Sequence, residues 1–150
     1  MTLAMIAPKQ EILTLAAAAL KRQTNLGVRF RDFAPVPDRH GIDAILTVDF
    51  PDHPVEYMIQ AKATLTNIIV GQLTREFGTN PREWLVVTRY VNPQIGRTLR
   101  DLGIQYMDTV GNAYLNNPPV FIHIQGNRRT RQLNGAREEG ILGRAGLKVV

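Results

Sequence analysis

The chain of 150 residues contains neither cysteine nor serine. The first absence removes disulfides, thiolate metal sites and cysteine nucleophiles together and suits a reducing compartment, so a cytoplasmic location is expected. The second removes the other common nucleophile of covalent hydrolases, so any hydrolysis is expected to run on a metal ion. A long apolar run is also missing. Ile12 to Leu20 is too short to span a bilayer, and Lys21 and Arg22 follow it, whereas a signal peptide carries its cations in front. That run reads as a buried helix, and no membrane partner is expected. Acid is in deficit: 13 Asp and Glu against 18 Lys and Arg give a net charge of +5 and a pI near 10.0. Such a balance favours a polyanionic partner, because each cation set against a phosphate releases condensed counterions. What is present, 44% hydrophobic residues, suffices for one core in a domain of ordinary size.

Pro8 opens a helical pattern with Ile12, Leu15, Ala16, Ala19 and Leu20 on one face, ending near Asn25 to Gly27. Val28 to Phe33 alternates as a short strand, and the prolines and glycine of 34–41 make a loop. Ile42 to Phe50 and Val55 to Ala63 alternate on either side of the turn Pro51 to Pro54 and predict a hairpin. In its second strand, Tyr57, Ile59 and Ala61 share one face and Glu56, Met58, Gln60 and Lys62 the other. A helix is expected from Thr66 to Phe77, with Gly78 at its end, and a buried parallel strand from Trp84 to Tyr90. Pro93 opens a helix through Leu102, and Gly103 precedes a strand at Ile104 to Met107. Ala113 to Leu115 and Val120 to Ile124 are late strands around the turn Asn116 to Pro119. The spacing predicts a domain over 1–125. Residues 126–150 carry arginines among glycines without periodicity and read as a basic tail or linker.

The chemistry-bearing set is Glu11 in the first helix, Asp43 at the start of a strand, and Gln60, Ala61 and Lys62 at the end of the next. A hairpin brings Asp43 toward Gln60 and Lys62, where a hard cation such as magnesium needs oxygen ligands and open positions for a phosphate oxygen and water. Lys62 would orient that water or stabilise charge on a phosphorane-like transition state.

These residues resemble the PD-(D/E)xK nuclease superfamily, in the form of Holliday-junction resolvases and Mrr-like restriction enzymes, over Lys9 to Tyr90. The resemblance implies an α/β fold with a restriction-endonuclease-like mixed central sheet flanked by helices. It implies metal ligation of magnesium or manganese by Asp43, Gln60 and the carbonyl of Ala61, with Lys62 catalytic, Glu11 an outer acid and Gln72 a polar site residue. Two positions depart from the pattern: Ile42 stands for the proline and Gln60 for the usual acid. The second leaves one clear carboxylate, although Mrr-like enzymes carry the same QxK form.

A narrower likeness covers Arg97 to Leu115 (RTLRDLGIQYMDTVGNAYL) and Phe121 to Gly126 (FIHIQG). These stretches resemble AbiEi-type regulators, the antitoxins of type IV toxin–antitoxin systems, in which a nuclease-like domain precedes a winged helix. Gly143 to Lys148 resembles the run into that second domain, so the tail is expected to be a linker leading to an absent winged helix. Three functions follow as expectations: a DNA-binding regulatory domain, a metal-dependent deoxyribonuclease, or a module that binds a cognate toxin. The expected partners are DNA, such a toxin and a second copy of the chain. Arg128, Arg129 and Arg131 are candidate phosphate contacts. His40, His53 and His123 read as loop, turn and polar strand-face residues, and Glu56, about 13 Å from Gln60 along the strand, as a surface residue. Asp108 beside Gly111 and Asn112 reads as the cap of a turn ahead of a site at a strand end.

Overall fold

A computed structural model describes residues 8–31, 42–78 and 80–128. The expected loop 34–41 with His40, and the tail with Arg129 and Arg131, therefore lie outside the described residues. Helix α1 spans Pro8–Thr24, followed by β1 Gly27–Arg31, β2 Ala44–Asp49, β3 Pro54–Lys62 and α2 Asn67–Phe77. A 3-10 turn at Pro81–Glu83 leads into β4 Trp84–Thr88, α3 Pro93–Asp101, β5 Tyr106–Asp108, β6 Ala113–Asn117 and β7 Val120–Ile124. Every expected element is present, with ends moved by a few residues. Strand β5 starts at Tyr106 because Ile104 and Gln105 still carry the chain away from α3, the Ile104 amide donating to the Leu99 carbonyl.

The strands form one sheet of seven in sequential order. β1, β2 and β3 pair antiparallel, β3, β4 and β5 parallel, and β5, β6 and β7 antiparallel again. Parallel neighbours need crossover connections. Helix α2 carries β3 to β4, and α3 carries β4 to β5. Both helices begin where side chains accept amides left unpaired in a first turn: Thr66 from Ile69, and Asn92 from Ile95.

Two cores cover the two faces. On one, Ile12, Leu13, Ala16 and Leu20 of α1 pack against β2, β3 and alternate residues of β4 to β6. On the other, Val70, Leu73 and Phe77 of α2 and Leu99 of α3 pack with Val86 and Tyr106. Strand β4 is thus covered on both sides, as its unbroken apolar run requires: Leu85 and Val87 face α1, Val86 faces α2. The buried stripe of α1 differs from the expected one. Leu13 is buried and Leu15 is 45% exposed. At about 100° per residue the stripe is centred between Ile12 and Leu20, which leaves Leu15 on its flank. Among the described residues no helix is long and apolar enough to cross a membrane.

Candidate functional site

Asp43 directly precedes β2. Its amide donates to the Ile59 carbonyl at 2.8 Å, and its Oδ2 accepts the Ala61 amide at 2.9 Å. The carboxylate thereby extends the β2–β3 ladder past the end of β2. In a strand the N–H and C=O of one residue point to the same neighbour, so the Ala61 carbonyl is directed to the side where Asp43 lies. Lys9, on the first turn of α1, brings its ammonium to 3.2 Å from Oδ1 and 3.5 Å from Oδ2 of Asp43.

Gln60 belongs to a different network. Ala61 packs in the α1 core, and alternation turns Gln60 to the opposite face, beneath α2. There its Nε2 donates to Glu76 Oε1 at 2.8 Å, while its own Oε1 is buried with no partner. The reverse amide orientation would set an oxygen against the Glu76 carboxylate, which fixes which end is which. Lys62 lies on the same face as Gln60, is half-buried and makes no hydrogen bond or ion pair with any described residue. Glu11 is exposed and approaches Arg89 Nη2 at 3.9 Å. Gln72 is exposed on the outer side of α2, away from Val70, Leu73 and Phe77.

The structure therefore brings Asp43 and Ala61 together, while no hydrogen bond or ion pair joins Gln60, Lys62, Glu11 or Gln72 to Asp43. The residues that join the network without being anticipated are Lys9, Glu76 and Arg89. Glu76 was within reach of sequence reasoning, because it sits one turn beyond Gln72 and beside the buried Phe77. A divalent cation needs several oxygen donors turned to one point. Here both oxygens of Asp43 face an ammonium, and the carboxamide of Gln60 is turned to the other face of the sheet. No group of three His, Cys, Asp or Glu that would hold a metal occurs among the described residues. So arranged, the carboxylate of Asp43 and the carboxamide of Gln60 do not converge on one point.

A second polar cluster sits at the end of β5. Asp108 is fully buried, and its carboxylate accepts from the Val91, Val110 and Asn112 amides and from Asn112 Nδ2, at 2.8 to 3.0 Å. Burial raises its pKa above the usual carboxylate range, and the four donors reduce that rise without cancelling it. Asn112 in turn receives the Asn127 amide at 2.9 Å and donates to the Asn127 carbonyl at 3.0 Å. Asp108 is thus a cap for the 109–112 turn, where Gly111 takes φ 100°, and it also anchors the chain leaving β4 and β7.

Clefts open along the carboxyl ends of the parallel strands, where open α/β sheets place ligands. One is lined by residues following β3, β4 and β5, among them Ala63, Arg89 and Thr109. Its neighbour shares Tyr90 and includes Arg100, Asn127 and Arg128. A third, between the first turns of α2 and α3, includes Thr66, Asn67 and Asn92. Among the described residues lining them there is no aspartate or glutamate, and the charged ones are Arg89, Arg100 and Arg128. Comparison of the chain with protein-family models, with curated proteins and with solved structures finds no match.

Proposed function

We propose that the chain is a DNA-binding regulatory domain on a restriction-endonuclease-like scaffold, a reading in line with its sequence resemblance to AbiEi-type regulators. The observation that carries this reading is the run of clefts at the carboxyl end of β3 to β5, whose lining holds three arginines and no acid in a chain of net charge +5. A phosphate backbone meets cations there, with Glu11 at 3.9 Å from Arg89 as a competing acid just outside the lining. The one acid of the nuclease-like pattern at its strand end, Asp43, is already matched by Lys9 and the Ala61 amide.

Fluorescence anisotropy with a labelled duplex across a salt series tests it. Affinity is expected to fall steeply with salt, and Arg89→Glu to weaken binding and flatten the slope of log affinity against log salt by about one. Asp43→Ala should leave affinity unchanged or raise it. Salt-independent binding, or none, overturns the reading.

A second reading, metal-dependent hydrolysis, draws on Lys62, which has no partner among the described residues, and on the buried Oε1 of Gln60, which has none there either. Under the regulatory reading, supercoiled, linear and branched DNA all stay intact with magnesium or manganese present. Cleavage that Lys62→Ala abolishes would establish the nuclease in its place.

A further inference from the structure

Strand β7 alternates cleanly. Val120 and Ile122 pack against the α1 core, so Phe121 and His123 stand on the opposite face, with Tyr114 of β6. Rings run along this face without a break. Tyr106 stacks on Tyr114 at 6.0 Å, and Tyr114 meets Phe121 and His123 edge-on at 5.8 and 6.0 Å. Phe121 is 59% exposed, and His123 is exposed beside it. At the inner end, the Tyr106 hydroxyl takes a 2.7 Å hydrogen bond from Arg100, which lines the same cleft as Arg128. Residues 125–128 run directly from the end of β7 into that cleft. An aromatic platform and an acid-free arginine cleft are therefore continuous.

We infer that this face binds single-stranded nucleic acid, with unpaired bases stacked on Phe121 and His123 and the backbone phosphates held by Arg100 and Arg128. The inference rests on the DNA-binding reading and narrows it to a strand state. Every base offers a π-face to a ring, but only an unpaired strand exposes it, since a duplex hides its base faces in the stack. Charge complementarity selects this occupant over an apolar protein surface. The lining of the adjoining cleft has two guanidinium groups and no acid among the described residues, which suits phosphate and would leave an apolar partner facing unpaired cations.

The test compares anisotropy of a labelled oligothymidylate with that of a duplex of equal length, using the native chain, Phe121→Ala and Phe121→Trp. Removing the ring is expected to weaken single-strand binding about tenfold and leave duplex binding unchanged. Phe121→Trp should restore the affinity, with its added indole emission quenched on binding. Trp84 is a steady background, stacked on Phe77 at 4.9 Å. Phe121 is exposed, so its loss does not open the core, and thermal melting of each variant confirms that it is folded. Equal single-strand affinity of Phe121→Ala and the native chain overturns the inference. So does self-association that Phe121→Ala removes while single-strand affinity stays unmoved, which would assign the face to a second copy. Salt-dependent duplex binding, with a single-strand affinity to which Phe121 contributes nothing, sinks this inference alone and spares the DNA-binding reading. Failure to bind either form sinks both.

Discussion

Asp108→Asn is expected to lower the unfolding free energy by about 3 to 5 kcal/mol, measured by urea denaturation near neutral pH. Both carboxylate oxygens are occupied by N–H donors, two to each: Val91 and Asn112 Nδ2 on one, Val110 and Asn112 on the other. In either orientation a carboxamide turns its NH2 toward two of those donors. Two hydrogen bonds are then lost and two buried donors face a third. A loss under about 1 kcal/mol would mean that the turn rearranges and the network is not the anchor its geometry suggests.

The pH dependence of the same pair carries a sign. Because burial outweighs the four donors and raises the pKa of Asp108, the folded chain holds this proton at pH values where the unfolded chain has released it. Its contribution to stability is therefore fully present below the usual carboxylate range and is lost as pH rises through the raised value. The stability gap between the native chain and Asp108→Asn should widen as pH falls from neutral into that range and then level off. A gap that narrows toward acid would show that the donors win over burial.

Gln105→Leu should cost about 2 to 4 kcal/mol, although it replaces a buried side chain by one of similar size. Gln105 is 1% exposed. Its Nε2 lies 3.4, 3.1 and 3.2 Å from the carbonyls of Pro81, Arg82 and Trp84, and its Oε1 accepts the Asn116 amide at 2.8 Å. One carboxamide thus satisfies the 3-10 turn before β4 and an amide of β6. Leucine would take this partner from the Asn116 amide and the Arg82 and Trp84 carbonyls, while the Pro81 carbonyl keeps the Trp84 amide. Gln105→Glu should be worse, since it keeps the acceptor for Asn116 but sets a second oxygen against three carbonyls. Chemical denaturation of both variants settles the order, and a Glu variant as stable as the Leu variant would mean that the carboxyl is protonated or turned out to water.

The elements of this protein were legible because each signal is local. Alternation between Val55 and Ala63 depends only on the two-residue period of a strand, and Thr66, Gly78 and Asn92 act on amides or carbonyls within their own turn. The apolar run Trp84 to Thr88 already implied cover on both faces, which α1 and α2 supply. Even the turn-cap reading of Asp108 needed only Gly111 and Asn112 close behind it.

What only the tertiary structure decided is how separate networks share out the polar residues. Alternation gives the face of Gln60, but nothing in the spacing of Asp43 and Gln60 tells which partner each carboxyl or amide meets. That depends on Lys9 of α1 arriving on one side and Glu76 of α2 on the other. The four partners of Asp108 are brought together by chain folding, since Val91 lies 17 residues away in sequence. The arginines at positions 89, 100 and 128 are scattered in sequence, after β4, on α3 and after β7, and line neighbouring clefts only in the folded sheet. Periodicity and caps are interactions of a segment with itself or with a generic interior, so they can be read in one dimension. A hydrogen-bond partner or a shared cleft is a meeting of distant segments, and only the packed sheet specifies it.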